Sequence, residues 1–394
     1  MKGLKRKVKY IISKVLYSIF SILPLSNKVL GSSFYGMEYE NNPRFVFEKL
    51  QEKYPELKKI WVVNKNAKIE LPSYVAPAKG LIRIAYDYAT AKVIIDSHFF
   101  PRYYKRRKNQ FTIFMYHGGI GIKRNSNEVP SRKKTDIPAH NAKNMTLFIS
   151  NSDFTTRVIR SSLEFQGPVL KCGYPKDDPL FDLQDAYKKR VCEYYGVSFE
   201  KKFFMYAPTY RQDRDDHSGF NIDIQSACTA LAEKFGGEWM GIVKWHPKQK
   251  ISTDQSKAMY GESVIDATNY SNMQELIIAS DAFVSDYSSC IFEAAERKMP
   301  CFSYATDWNT FKHEQGVHFE INELPFPYCR NNNELINAIK GFDTKTYLAE
   351  LDSFFKQEGL CDTGKASETI ADIIYEYTSG NIQIVKKMIS EGKA

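Results

Sequence analysis

The chain has 394 residues, 43% of them apolar and 14% aromatic: enough core for two to three domains at ~150 residues each, and too much Phe, Tyr, Ile and Val for a disordered protein. Its seven cysteines are odd in number and widely spaced, with no CxxC, which argues against a zinc knuckle or a disulfide framework and fits a reducing, cytosolic setting. Of a net charge of +9, seven charges fall in residues 1–30 (Lys2, Lys5, Arg6, Lys7, Lys9, Lys14, Lys28) with no acid among them, so the remaining body is nearly balanced and is no nucleic-acid-binding domain.

The segment MKGLKRKVKYIISKVLYSIFSILPL opens the chain. Lys14 interrupts its apolar run and no small-x-small site follows, unlike a signal peptide. It is too short and too polar to span a bilayer, which takes ~20 mostly apolar residues. Leu4, Val8, Ile11, Val15, Ile19 and Ile22 recur at steps of three and four, with Ile12, Leu16 and Leu23 beside them, and Pro24 closes the run. That period predicts an amphipathic helix over residues 1–30. Lys5, Arg6, Lys7 and Lys9 suit it to an anionic membrane surface; the alternative is that the same face docks on the protein's own core.

Strands are predicted at 59–64, 92–96, 111–116 and 146–150, with helices at 44–53, 81–90 and 152–164. After the loop 173–179 a second series begins, with strands at 203–207, 240–245, 282–285 and 301–304 and helices at 222–236, 271–279, 288–298 and 331–341. Alternating strands and helices imply parallel sheets covered on both faces. The fold class is therefore α/β, with two Rossmann-like domains, 31–180 and 181–365, facing a cleft, and a helical tail at 366–394.

Ligands of open α/β sheets bind beyond the carboxyl ends of the strands. Four groups stand there: His117-Gly118-Gly119 after 111–116, Pro208-Thr209-Tyr210-Arg211 after 203–207, His246-Pro247-Lys248 after 240–245, and Asp286-Tyr287-Ser288-Ser289 after 282–285. Each alone suits a turn or a helix cap. Together they suit a phosphate ligand. A helix start offers free N–H groups, Ser288 and Ser289 add hydroxyls, Arg211 can grip oxygens bidentately, and Lys248 adds a charge. His246 can donate to a diphosphate, and Glu293, one turn past Ser289, could accept from a ribose.

No GxxxxGK[ST] occurs, no HExxH, and no GxGxxG after a first strand. The acidic run RQDRDDH (Asp213, Asp215, Asp216, His217) reads as a solvated turn rather than a metal cluster. No ligand set for a metal is visible.

With these groups in place the chain resembles the CDP-glycerol glycerophosphotransferase family, the teichoic acid primase and polymerase type enzymes and related capsule-polymer synthases. The resemblance runs over 30–375 and rests on SFYGMEYENNPRFVFEKL (33–50), YHGG (116–119), ISNSDFTTRV (149–158), CGYPKDD (172–178), YAPTYR (206–211), KWHPK (244–248) and DYSSCIFE (286–293). It implies a GT-B fold on an amphipathic membrane helix, with 31–180 as the acceptor domain and 181–365 as the CDP-donor domain.

The implied reaction moves a polyol phosphate, foremost glycerol phosphate, from a CDP donor to a hydroxyl of a lipid-linked or polymeric acceptor, releasing CMP at the cytoplasmic face of a bacterial membrane. His117 matches the family's base and His246 its diphosphate contact. Arg211, Thr209, Lys248, Asp286, Ser288, Ser289 and Glu293 fall to the donor. A ribitol-phosphate transferase using CDP-ribitol, or a GT-B glycosyltransferase, is the alternative. No tightly bound cofactor is implied, though Mg²⁺ could ride on the diphosphate. The family's Trp-His-Gly-Thr is Tyr116-His117-Gly118-Gly119 here, and its Arg-Asn after Gly-Tyr-Pro is Lys176-Asp177. The loop residues Gly118, Gly119, Lys123 and Arg124 would therefore meet the acceptor, with Arg102–Lys108 and Lys123–Lys134 steering an anionic one.

Overall fold

Two parallel sheets organise the chain in the computed structural model, which describes residues 2–125, 128–129, 135–182, 185–210, 221–246, 249, 251, 253–261 and 264–392. The first holds β1 (Ser26–Ser32), β2 (Lys58–Val63), β3 (Val75–Lys79), β4 (Ala91–Asp96), β5 (Phe111–Met115), β6 (Leu147–Ser150) and β7 (Val169–Lys171), in the order β3-β2-β1-β4-β5-β6-β7. The second holds β8 (Lys202–Tyr206), β9 (Trp239–Val243), β10 (Ile265–Asp266), β11 (Ala282–Ser285), β12 (Cys301–Tyr304) and β13 (Tyr328–Cys329), in the order β10-β9-β8-β11-β12-β13. Both orders reverse beside the first strand, between β1 and β4 and between β8 and β11. Those are the switch points of the Rossmann topology, where strand ends leave room for a ligand. The chain thus has the α/β class and the two Rossmann-like units expected from the alternation.

The central strand β1 escaped the sequence reading, which ran the N-terminal helix through residue 30. The helix is Lys2–Phe20, and the chain is already β-paired from Ser26. Lys28 looks like one more exposed cation in the sequence. It is buried instead, with Nζ 2.7 Å from Asp87 Oδ1 and 2.6 Å from Thr90 Oγ1. Gly31 disguises the strand further, and a glycine is required there: a β-carbon would come within 2.8 Å of the Trp61 ring and 2.7 Å of Phe47.

The chain divides into two compact units, Met1–Gly119 with Lys133–Asp178 and Leu360–Ala394, and Ile120–Arg132 with Pro179–Gly359. Two segments therefore group differently from the blocks read off the sequence. Helix Ala366–Ser379 is no separate tail. It buries Ile370, Ile373 and Ile374 in one cluster with Val46, Phe47 and Leu50 of helix Asn42–Lys53, at about 1.5–3 kcal/mol per fully buried aliphatic side chain. Tyr375 stacks on Tyr54 with centroids 4.0 Å apart, and Lys53 reaches Asp372 at 2.7 Å. Ile120–Arg132, in turn, joins the second unit through backbone pairing. Lys123 bridges Val317, Arg124 N–H donates to Gly316 O at 3.1 Å, and His318 N–H donates to Ile122 O at 2.8 Å.

Helix Lys2–Phe20 lies on helix Leu81–Thr90 of the first unit by one narrow edge. Ser13 and Tyr17 are buried there, Tyr17 edge-on to Tyr104 at 5.8 Å, and Phe20 meets Tyr86 at 5.4 Å. The stripe Val8, Ile11, Ile12, Val15, Ile19 and Ile22 stays in solvent, with Ile11 58% and Ile22 84% exposed. Docking of that face on the protein's own core is thus not what the helix does.

Candidate active site

The first unit's site gathers at the β1/β4 switch point. Ser33, just past β1, leads into a tight turn in which two non-glycine residues hold left-handed angles, Phe34 at φ 44° and Tyr35 at φ 57°. Such angles cost of order 1–3 kcal/mol each and persist only where the surroundings impose them. Here the turn aims both rings at the histidines that end the next strands. Phe34 lies 5.1 Å from His98 and 5.9 Å from His117, and Tyr35 meets His98 edge-on at 4.7 Å.

His117 follows β5 by two residues, as expected. Its ring lies 5.0 Å from that of His98, which follows β4 by two residues, and its Nδ1 faces Ser97 O at 3.4 Å. A carbonyl can only accept, so the proton sits on Nδ1 and the lone pair on Nε2. Burial foremost, then the charge of His98, lowers the His117 imidazole to about 3, with the Ser97 carbonyl opposing and Lys176 adding a smaller lowering. An ordinary histidine titrates at ~6.5; the site holds this ring neutral far more firmly.

His98 and Asp96 were missed, though the strand-end signal that found His117 applies to both. Asp96 is buried, and its Oδ1 accepts the His98 N–H at 2.7 Å. Burial lifts its carboxyl to about 7 against the hydrogen bonds from His98, Ser32 and Ser97. Asn42, also missed, ties the turn down. Its Nδ2 donates to Tyr116 O at 2.8 Å, and its Oδ1 accepts from Lys176 N–H at 3.0 Å. Lys176 and Asp177, the pair that departs from the resembled motif, form a buried ion pair at 2.8 Å.

The two glycines after His117 differ. A β-carbon on Gly118 would meet only the Tyr116 ring, at an ordinary 3.6 Å, whereas one on Gly119 would lie 2.7 Å from Asn151 Nδ2. Asn151 sits just past β6, and its amide donates to Asp362 Oδ2 at 2.9 Å while Asp362 Oδ1 accepts Tyr174 N–H at 2.6 Å. In the segment Arg102–Lys108 some residues serve the fold, while Lys105, Arg106 and Lys108 are exposed. Tyr104 is core, Arg102 pairs with Asp136, and Arg107 Nη2 donates to Leu23 O at 2.8 Å, clamping the chain after the N-terminal helix.

The second unit's candidates collect at the β8/β11 switch point. Thr209 N–H, past β8, donates to Asp286 Oδ1, past β11, at 2.8 Å. Tyr210 and His246, past β8 and β9, lie ring to ring at 5.4 Å, with His246 exposed. Three of the predicted strand-end groups are therefore joined within one unit. Ser289 caps helix Cys290–Glu296 without a side-chain bond, and Ser288 Oγ accepts from Cys290 Sγ at 3.0 Å. Glu293 is buried against Gln274, whose Nε2 donates to its Oε2 at 2.9 Å; Gln274 was not anticipated. Lys244 Nζ is spent on the carbonyls of Ala267, Thr268 and Tyr270, the last at 2.6 Å, which shapes the β9 end. Arg211 and Lys248 lie outside the described residues, as do Asp213, Asp215, Asp216 and His217. Lys123 and Arg124 are exposed on the second unit, where Arg124 Nε donates to Val317 O at 2.8 Å. Of the membrane cations, Arg6, Lys7 and Lys9 are exposed, and the Lys5 side chain is outside the description.

Comparison with known proteins bears on this arrangement. A poly(glycerol phosphate) polymerase of teichoic acid from Staphylococcus epidermidis is 26% identical over 88% of this chain and 50% of its own length. The chain thus spans about half the length of that relative. A teichoic acid glycerol-phosphate transferase from Staphylococcus aureus is 23% identical over 95% of this chain and 100% of its own. A solved structure of the wall teichoic acid polymerase TagF superposes with a TM-score of 0.78 at 24% identity, over 96% of this chain and 98% of that one, and so shares the fold. The family model for CDP-glycerol:poly(glycerophosphate) glycerophosphotransferase matches residues 15–376, and this chain belongs to that family.

Proposed function

We propose that the protein transfers glycerol phosphate from CDP-glycerol to a hydroxyl of a membrane-linked wall or capsule polymer. The hydroxyl oxygen attacks the phosphorus that bears the glycerol, a new phosphate ester forms, the anhydride P–O bond breaks, and CMP leaves. Such a transfer needs positioning and charge stabilisation more than covalent help. The observation that carries the reading is the His117 ring, held neutral at a strand end with Nδ1 turned to Ser97 O, so that Nε2 is free to take the hydroxyl proton. A base with so low a pKa is weak until an anion arrives, and a diphosphate beside it raises that pKa.

On the donor side, His246, Thr209, Asp286, Ser288, Ser289 and Glu293 hold the CDP group, with Arg211 and Lys248 gripping phosphate oxygens. Glu293, held by Gln274 at 2.9 Å, is the acid assigned to a ribose hydroxyl of the donor. Gly118, Gly119, Lys123 and Arg124 meet the acceptor. No resident cofactor is proposed, and Mg²⁺ enters with the donor. Among the described residues no helix is long and apolar enough to cross a membrane. The exposed stripe on Lys2–Phe20, rimmed by Arg6, Lys7 and Lys9, supports peripheral binding to an anionic surface on the cytoplasmic face.

The departure at Gly119 favours keeping ribitol phosphate as a second substrate. A donor screen tests the reading. CDP-glycerol, CDP-ribitol and UDP-sugars are offered to detergent-solubilised protein, and CMP and product mass are read. CMP with a glycerol-phosphate mass increment is expected, CDP-ribitol turnover alone selects the second substrate, and UDP-sugar turnover rejects both.

A further inference from the structure

A cavity of ≈310 Å³ opens in the first unit beside the N-terminal helix. It is lined by Lys9 and Ser13 of that helix, by Lys65 of the loop after β2, and by Leu81 and Ile84 of helix Leu81–Thr90. Tyr35 forms one wall. Cations and aliphatic side chains lining one cavity match one ligand chemistry, an anionic head on an apolar chain. The volume falls at the lower end of the ~300–1,000 Å³ typical of small-molecule pockets, which suits a phosphate and the first stretch of a chain.

Position adds a second argument. The wall residue Tyr35 is 55% exposed, is held at φ 57°, and meets His98 edge-on at 4.7 Å, and His98 lies 5.0 Å from His117. The cavity is therefore separated from the histidine pair by one aromatic ring. On its other side is the helix whose outer face is an exposed apolar stripe. A lipid phosphate drawn from a bilayer at that stripe would enter beside Lys9 and lie with its polar end toward Tyr35.

We propose that this cavity is the acceptor's lipid subsite, taking the phosphate and proximal apolar chain of the membrane-borne acceptor and setting the distance from the bilayer at which its hydroxyl meets His117. The proposal rests on the phosphotransferase reading, and the experiment separates the two. Dodecyl phosphate bearing a terminal diazirine, held below its micelle concentration, is titrated onto the full chain, photolysed, and its adducts mapped. Saturable labelling of residues 81–88 and 101–103 is expected, competed by dodecyl phosphate at least tenfold better than by dodecanol or by inorganic phosphate. Lys65→Glu, on an exposed loop, is expected to cut labelling at least tenfold while CDP-glycerol still protects the protein thermally; Leu81→Trp, which enlarges a lining side chain, does the same.

Labelling confined to the outer stripe of the helix, equal competition by dodecanol or by inorganic phosphate, or labelling that survives both variants overturns the proposal. Absence of CDP-glycerol protection in the unaltered protein would instead sink the donor reading, whatever the cavity does.

Discussion

Asn151 donates its side-chain amide to Asp362 Oδ2 at 2.9 Å, and the same amide nitrogen stands 2.7 Å from where a β-carbon on Gly119 would lie. The amide is further fixed through its oxygen, which accepts from Thr155 Oγ1 at 2.9 Å and from Ser152 Oγ at 3.2 Å. A threonine at 119, as in the resembled motif, has room only if Asn151 moves. Gly119→Thr should therefore break the Asn151–Asp362 bond and leave a buried carboxyl short of a donor, at a cost of about 1–3 kcal/mol. Thermal unfolding should show a lower Tm. In the Asn151→Ala background the same change should cost clearly less, because the two residues compete for one space. Additive losses would show that Gly119 and Asn151 do not compete.

The titrating groups at the first switch point pull stability in opposite directions. His117 has a folded pKa lowered to about 3 from 6.5, so the unfolded chain binds more protons between those values. Its stabilising contribution is complete above pH 6.5 and is lost as pH falls toward 3. Asp96 has a folded pKa raised to about 7 from 3.8, so its contribution is complete below 3.8 and lost as pH rises through 7. Asp96→Asn should thus gain stability relative to the parent as pH climbs from 4 to 7. A denaturant midpoint series against pH reads this, and a pH-independent difference would contradict it.

His98 presses on His117 through its charge. His98→Ala should raise the His117 midpoint, visible as an upward shift of its imidazole ring-proton titration by NMR. An unmoved or lowered midpoint would remove His98 from the account.

Membrane binding should depend on the outer stripe of the first helix and not on its docked edge. Ile11→Glu with Ile19→Glu places two charges on residues 58% and 53% exposed, so the fold should be unaffected. Partition onto vesicles rich in phosphatidylglycerol should fall at least tenfold, since apolar burial and anionic attraction act together there. Tyr17→Ala should do the reverse, lowering Tm through loss of ring contacts with Tyr103 and Tyr104. Unchanged partition of the double variant would mean that the stripe is not the membrane face.

The β-branched runs between polar residues gave away β4, β5, β11 and β12 within one residue at either end, because a strand buried on both faces carries a continuous apolar signal. β1 carries Ser, Asn, Lys and Gly, and its polar members become legible only once Asp87 and the Trp61 ring are in place. β7, β10 and β13 run for two or three residues, too short for any period. At the sites, residues directly after strands were readable, including Thr209, Asp286 and His117. Asn151, directly after β6, and His98, after β4, carried the same signal, whereas Asn42 and Gln274 act from helices through hydrogen bonds that no linear spacing encodes. The return of helix Ala366–Ser379 to the first unit was hidden for the same reason: its partners Lys53 and Tyr54 are more than 300 residues away in the chain.

The central claim is that His117 takes the proton of the attacking hydroxyl. Its most direct test is single-turnover CMP release from CDP-glycerol by His117→Ala with acceptor present, alongside thermal protection by the donor. The account predicts a fall in CMP release of about 10²–10⁴, with donor protection retained. Release at close to the parent rate, with donor bound, would contradict it.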